Sequence, residues 1–165
     1  MYLCKSFNKI KNMQEQFMEN YKKELTEVSA KDNSNKRKIF ICVDFDGTIV
    51  KHKYPLIGDE NPSAFDIMID YEKKYNVAWI LNTMRSGKLL DKAVTYCNRK
   101  GIEFYGVNRN PSQNSWTDSP KAYGQFYIDD CNVGQPLIFE DGERPYVDWA
   151  KTDKIMRPIL EYMNK

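Results

Sequence analysis

The sequence predicts an α/β fold, a doubly wound, Rossmann-like parallel sheet of about five strands. Three observations lead to this prediction. Short apolar runs recur along the chain, longer helix-type segments separate them, and polar residues follow directly where several of the runs end. Regular alternation of strand and helix favours a parallel sheet with helices on both of its faces.

Residues 1–37 form a separate predicted region, an N-terminal helix and linker. Apolar residues recur there at spacings of three, four and seven, which indicates an amphipathic helix: Phe7, Ile10, Phe17, Tyr21, Leu25 and Val28. The polar stretch that follows is typical of a linker. The helix either packs on its own domain or forms a homo-oligomer or partner contact, and the irregular heptad pattern favours packing. Residues 38–165 are the predicted main domain.

The first half of this domain contains two predicted strands and one helix. Ile39–Val43 and Val77–Leu81 are short apolar runs, as expected of buried strands. Between them, Asn61 followed by Pro62 has the pattern of an N-cap with proline at the first helical position. We therefore expect a helix from there to about Lys74.

A second helix and a third strand are predicted next. Ser86 is suited to cap a helix that runs to Lys100, and Gly101 is suited to end it. The apolar residues between 102 and 107 then predict strand three.

The last third of the chain predicts two more strands and two helices. Ser119 followed by Pro120 indicates a short helix, and strand four follows at 125–128. Residues 137–139 predict a short fifth strand. Asp148 is suited to cap a final helix over 149–163, in which Pro158 is expected to cause a kink or a break.

Composition excludes several classes of protein. The net charge is only +2, and 41% of the residues are hydrophobic, which suits a globular domain and argues against an obligate nucleic-acid binder. The four cysteines show no CxxC spacing, so we expect free thiols and a cytoplasmic location. No apolar run approaches the roughly 20 residues of a membrane span. With His52 as the only histidine, histidine-based triads and metal sites are nearly excluded.

Polar side chains follow three of the predicted strands. Asp44 and Asp46 follow strand one, Thr83 follows strand two, and Asp129 with Asp130 follow strand four. Because the carboxyl ends of parallel strands lie along one edge of a sheet, we expect these side chains to converge. Carboxylates brought this close need a cation or a shared proton, and Mg²⁺ prefers such oxygen ligands.

These residue types suit phosphoryl transfer. A carboxylate can attack phosphorus, and a second one can protonate the leaving oxygen. A hydroxyl such as that of Thr83 and an ammonium such as that of Lys121 can stabilise the phosphoryl oxygens. Gly47 permits a backbone geometry that brings amide groups close to the same oxygens, and we predict that Arg85 also contacts the substrate.

The chain resembles the phosphatases of the haloacid dehalogenase (HAD) superfamily over about residues 38–163. The family's first motif is matched by the run 44–48, DFDGT, its second by Thr83, its third by Lys121 and its fourth by Asp129 and Asp130. Further stretches resemble a subgroup of small members from bacteria and their viruses: 81–87, 101–104, 107–108 and 127–132. Asn82 and Cys131 depart from that subgroup's pattern, in which an aromatic residue and an arginine are expected.

The resemblance implies a role for each motif residue. Asp44 is the nucleophile and Asp46 the general acid and base. Thr83 and Lys121 hold the phosphoryl group. Mg²⁺ is bound by Asp44, by the backbone carbonyl of Asp46 and by either Asp129 or Asp130.

The spacing of the motifs leaves no room for a large cap domain, so we expect an open site. Residues 51–56 form either a flap beside the site or an ordinary hairpin. Trp116 and Arg109 lie on one loop, where they either pack on the surface or contact a nucleotide.

Together these observations predict a Mg²⁺-dependent phosphomonoesterase that acts on a small phosphorylated metabolite, either a sugar phosphate or a nucleotide. The alternatives are a polynucleotide 3′-phosphatase and a non-catalytic interaction protein with the same fold. The open site and the basic residues at 36–38 motivate the first alternative, and the N-terminal helix motivates the second.

Overall fold

Strand β1, Ile39–Val43, lies inside the main sheet, and all five of its side chains are buried. A computed structural model of the protein describes residues 38–165, and the predicted helix and linker at 1–37 lie outside the described residues. On its two sides β1 pairs in parallel with β2, Val77–Leu81, and with β4, Phe126–Ile128. Strand β3, Gly106–Val107, extends the sheet beyond β2, so the order is β3-β2-β1-β4.

In the described part of the chain, three α-helices pack against one face of this sheet. They are α1, Ala64–Tyr75, α2, Gly87–Arg99, and α3, Trp149–Met163. Their buried residues form one apolar cluster with alternate residues of β1: Ile39, Ile41 and Val43. Side chains alternate between the faces of a strand, so this face of the sheet carries the main core.

The opposite face of the sheet has a smaller cluster built on Phe40, Cys42 and Ile80. Ala122 covers it, together with the partly buried side chains of Tyr123 and Tyr127. Within residues 38–165, no α-helix contributes a buried residue to this cluster. The sequence predicted helices on both faces, whereas loop residues cover this face in the described part of the chain.

The predicted fifth strand forms, but it does not join the main sheet. β5, Leu137–Ile138, pairs in antiparallel fashion with β6, Tyr146–Val147, in a separate two-stranded sheet. The described main sheet therefore has four strands rather than about five. Strand three is also shorter than predicted, since only its last two residues pair with β2.

The predicted cap at Asn61 is wrong, because α1 begins three residues later at Ala64. The Asn61 side chain is buried, and its Nδ2 donates to the carbonyl oxygens of Gly47 at 3.3 Å and Thr48 at 2.7 Å. Since this amide holds the loop after β1, it does not cap the helix. Ser63 precedes the helix in a left-handed conformation, with φ of 63°.

The short helix predicted at Ser119 is also wrong. The helical turn of this region is instead a 3₁₀ helix over Pro111–Ser115, capped by Asn110. The buried side chain of Gln113 explains the difference. Its Nε2 donates to the carbonyl oxygens of Ser119 and Lys121, which folds residues 119–121 around it as a turn.

The final helix follows the prediction closely. Asp148 caps α3, and its Oδ1 accepts a hydrogen bond from the Lys151 amide at 3.0 Å. The break that was predicted as one effect of Pro158 is wrong, because the helix is continuous through this residue. Among the helices described, none is both long and apolar enough to cross a membrane.

Candidate functional site

Asp44 stands directly after β1, where its amide donates to the Ile128 carbonyl oxygen at 3.0 Å and continues the pairing with β4. Burial raises the pKa of its carboxyl to about 7, and the Phe45 amide that donates to it acts in the opposite direction. The negative charges of Asp129, Asp130 and Asp46 raise the pKa further. The fold therefore brings four carboxylates close together, as the sequence predicted.

The turn after β1 brings the Asp46–Thr48 segment against Asp130. Gly47 has φ of 86°, and its amide donates to the Val50 carbonyl oxygen at 2.7 Å. A Cβ atom at Gly47 would lie 2.7 Å from Oδ2 of Asp130. The Asp130 amide also donates to the Thr48 hydroxyl at 3.1 Å. Glycine is therefore needed here both for its backbone conformation and for the close approach of the carboxylate.

Asp129, Asp130 and Cys131 present ligand atoms that all lie within 4.8 Å of one another. Burial raises the pKa of Asp130, and the neighbouring Asp129 charge raises it further. The guanidinium of Arg144 lies 4.0 Å from Oδ2 of Asp130. The charges of Asp129 and Asp130 also act on Asp44. The carboxylate oxygens of these three residues are the hard ligands that a divalent cation such as Mg²⁺ prefers, whereas the Cys131 sulfur is not.

Thr83 follows β2 and is buried. Asn108 holds its backbone from both sides, because the Thr83 amide donates to Oδ1 of Asn108 at 2.7 Å and Nδ2 of Asn108 donates to the Thr83 carbonyl oxygen at 2.9 Å. The Thr83 hydroxyl accepts from the Arg85 amide at 3.2 Å, so its own proton can be donated to a ligand.

Asn108 is a site residue that was not predicted from the sequence. It follows β3 and has a positive φ of 52°, so its side chain reaches across to the end of β2. Asparagine is among the residues that tolerate this conformation. Two signals in the sequence point to it: it is a polar residue directly after a strand, and it lies in the stretch 107–108 that resembles the family's small members.

Lys121 lies on the same sheet face as the smaller apolar cluster, with its ammonium 5.2 Å from the centre of the Tyr127 ring. Its charge lowers the pKa of the Cys42 thiol, although burial dominates and raises that pKa to about 11. Within the described residues, Lys121 forms no ion pair with a carboxylate. The structure thus brings Lys121 near β1 and β4 but not into contact with Asp44.

Arg85 is deeply buried, and its guanidinium donates to both oxygens of Asp46. The distances are 2.7 Å from Nε to Oδ2 and 2.6 Å from the terminal nitrogen to Oδ1. The same guanidinium donates to the carbonyl oxygens of Pro55 and Leu56, at 3.2 and 2.7 Å. Arg85 therefore joins Asp46 to the 51–58 segment.

The 51–58 segment has features of both predicted alternatives, an ordinary hairpin and a flap beside the site. Its base is a hairpin, in which Val50 pairs with Glu60 and the Lys51 amide donates to the Asp59 carbonyl oxygen at 2.7 Å. Its tip is held at the site by Arg85. The side chain of Lys51 also binds Glu140 at 2.6 Å, which links the segment to the β5–β6 hairpin.

The loop between β3 and β4 presents Trp116 partly to solvent. The indole ring packs edge-on against Tyr123, with 5.4 Å between the ring centres, and is 63% exposed. Nε of Arg109 donates to Asn114 at 2.8 Å. Both side chains are thus engaged within their own loop and retain an exposed surface.

The chain is similar to a protein of known structure. No protein-family model matches the chain, and no curated protein matches it. A solved structure of a conserved protein from Bacteroides thetaiotaomicron is similar to it, with a TM-score of 0.60 and 35% sequence identity. The similarity covers 74% of this chain and 93% of that chain.

Proposed function

The chain belongs to the same family as the conserved Bacteroides thetaiotaomicron protein, and we propose that it is a Mg²⁺-dependent phosphomonoesterase with a HAD-like, doubly wound fold. One observation carries this proposal. Four carboxylates converge after β1 and β4, and burial together with their mutual repulsion raises the pKa of Asp44. Without a cation, the carboxylates of such a cluster repel one another. With a bound cation, the cluster is suited to phosphoryl transfer.

Asp44 is the proposed nucleophile. Its carboxylate oxygen attacks phosphorus, the bond from phosphorus to the leaving oxygen breaks, and Asp46 gives that oxygen a proton. In the second step Asp46 takes a proton from water, which attacks the phosphorus of the aspartyl phosphate and releases Asp44. Asp44 must be ionised to attack phosphorus. Because its pKa is raised, we expect that a positive charge nearby is needed to ionise it.

Other residues stabilise the phosphoryl group in this mechanism. The Thr83 hydroxyl donates to a phosphoryl oxygen. The Gly47 amide donates to the Val50 carbonyl oxygen instead, so Gly47 serves the site through the shape of its turn and not as the substrate ligand that the sequence predicted. Lys121 is exposed and free of ion pairs within the described chain, so its side chain can turn toward the charge that develops on the substrate. We assign it that role by its resemblance to the family's third motif.

The carboxylates of Asp44, Asp129 and Asp130, with the Asp46 carbonyl oxygen, would hold Mg²⁺. A bound cation would supply positive charge that offsets the repulsion between these carboxylates and a dianionic substrate. The three described cysteines are unpaired, and from them we propose a cytoplasmic location.

The test is hydrolysis of p-nitrophenyl phosphate and of a panel of sugar phosphates and nucleotides, with Mg²⁺ and with chelator. We expect Mg²⁺-dependent turnover that Asp44→Asn reduces by at least about 10³-fold. Asp91→Asn is the matched control, because it removes an exposed carboxylate on α2. Undiminished turnover by Asp44→Asn would contradict the mechanism, and inactivity of the wild type on the whole panel would favour an interaction protein.

A polynucleotide 3′-phosphatase is the second candidate, favoured by the exposed surface of Trp116 on the 108–119 loop. An aromatic face of this kind can stack on a base. This candidate predicts a preference for oligonucleotide ends over mononucleotides and an activity that falls steeply with salt. Equal rates on mononucleotides and oligonucleotides would rule it out.

A further inference from the structure

Arg85 is among the most deeply buried charged residues described, with 2% of its surface exposed. Its guanidinium makes four hydrogen bonds, two to Asp46 and two to backbone carbonyl oxygens of the 51–58 segment. A guanidinium has five N–H donors. Little of its capacity remains for a phosphoryl group, although the sequence predicted that Arg85 binds substrate.

The guanidinium is also fixed by two aromatic rings. Its central carbon lies 4.9 Å from the centre of the Phe45 ring and 5.4 Å from that of Tyr54. Phe45 lies between Asp44 and Asp46 in the chain and is fully buried. The ring of Tyr54, by contrast, belongs to the 51–58 segment and is half exposed. Arg85 is thus held between the buried turn after β1 and a surface loop.

We propose that Arg85 is a positioning residue that fixes the Asp46 carboxylate beside Asp44 and ties the 51–58 segment to the same point. This inference rests on the proposed function, in which Asp46 moves a proton to the leaving oxygen and later from water. A paired guanidinium restricts both the plane and the rotation of a carboxylate. The placement of the proton-transferring group therefore depends on the 51–58 segment, because both are held by the same guanidinium.

Lysine cannot reproduce this arrangement, because its ammonium is a point charge without the planar fork that meets two carboxylate oxygens. Small displacements of a catalytic group cost much rate, on the order of 10²-fold for 1 Å. Arg85→Lys keeps the positive charge and removes the geometry, so it separates positioning from simple neutralisation of Asp46.

The experiment compares two substrates that differ in their need for a proton. p-Nitrophenolate can leave without a proton. An alkyl alcohol, such as the one released from glycerol phosphate, leaves only when its oxygen is protonated. For Arg85→Lys we expect kcat/KM on the alkyl ester to fall at least about 100-fold, but by less than about 10-fold on p-nitrophenyl phosphate, and we expect no rise in KM on either substrate. Because both substrates share the same phosphoenzyme, its slower hydrolysis would lower kcat for both and give a burst of p-nitrophenolate.

Equal losses of kcat/KM on both substrates, or a rise in KM alone, would overturn the proposal and indicate direct phosphate binding. Arg157→Lys is the matched control, because Arg157 makes a similar two-point contact with Asp153 on α3, away from the site. Arg157→Lys should lower stability without changing the ratio of the kcat/KM values on the two substrates.

A second variant keeps the test decisive if Arg85→Lys does not fold. In an Asp46→Asn background, Arg85→Met removes both charged partners together, which avoids an unpaired buried charge. We expect no further loss of kcat/KM on p-nitrophenyl phosphate relative to Asp46→Asn alone, and a further loss would contradict the proposal. If wild-type protein hydrolyses neither substrate, the proposed function fails first.

Discussion

At the scale of single residues, the site depends on contacts that leave no room for an added atom. The contact of Gly47 with Asp130 is the clearest case, since it combines a positive φ with a distance that no side chain can occupy. Asn108 and Arg85 act indirectly, because Asn108 holds the backbone of Thr83 and Arg85 holds the carboxylate of Asp46.

Replacement of Gly47 by alanine tests this contact. Gly47→Ala should lower stability by about 2–4 kcal/mol, because the strain of the left-handed backbone adds to a clash with the Asp130 carboxylate. It should also lower turnover at least about 10-fold by displacing that carboxylate. Urea unfolding and steady-state kinetics measure the two effects.

Gly142→Ala is the matched control. Gly142 has a similar φ of 78°, but a Cβ there would meet nothing within 4 Å. It should therefore show only the backbone strain, about 1 kcal/mol, and full activity. Equal effects of the two substitutions would show that the Asp130 contact is unimportant.

At the scale of elements, α3 supports the loop after β1 as well as the core. Trp149, at the first position of the helix, is buried, and its Nε1 donates to the Thr48 carbonyl oxygen at 2.8 Å. The indole packs edge-on against Trp79, with 6.3 Å between ring centres. The start of the last helix thereby fixes the loop that carries Asp46.

Trp149→Phe should lower stability by about 2–3 kcal/mol, because it removes a buried hydrogen bond and leaves unfilled volume. It should also lower turnover several-fold, because the loop loses one of its supports. Trp79→Phe is the control: that indole is equally buried and donates to the Met68 carbonyl oxygen on α1, not to the site loop. A loss of turnover in Trp79→Phe as large as in Trp149→Phe would refute the specific role of Trp149.

At the scale of the whole molecule, the carboxylate cluster couples stability to pH and to cations. The pKa of Asp44 is about 7, well above its ordinary value near 3.8. In chelator, the unfolded chain therefore loses this proton at lower pH than the folded chain does. The contribution of the Asp44 carboxyl to the free energy of unfolding is fully present below about pH 4 and is lost as the pH rises through 7.

Comparison of wild type with Asp44→Asn isolates this contribution. In chelator the two proteins should be about equally stable near pH 4, and the variant, which carries no charge at this position, should be more stable by up to about 3–4 kcal/mol at pH 8. Addition of Mg²⁺ at pH 8 should stabilise the wild type, by about 2.7 kcal/mol at 100 times its dissociation constant, and the variant less. Urea unfolding measures both. A constant difference from pH 4 to pH 8 would contradict the raised pKa.

The bounds of several elements could be predicted because their causes are local. The apolar runs of β1 and β2 and the Asp148 cap of α3 appear where the sequence predicted them. The caps at Asn61 and Ser119 could not be predicted correctly, because distant partners decide those positions. Asn61 holds the loop after β1, and the carbonyl of Ser119 is bound by Gln113.

The sequence by itself determined the strand–helix order and the convergence of Asp44, Asp46, Asp129 and Asp130, since parallel strands must place their carboxyl ends along one edge. Only the tertiary structure decided the separate pairing of β5, the contacts of Arg85 and the position of Lys121. Each depends on which backbone or side chain lies nearby in space, and local propensity contains no information about that. The buried guanidinium between Asp46 and the 51–58 segment is the plainest instance, because its partners are about 30 and 39 residues away along the chain.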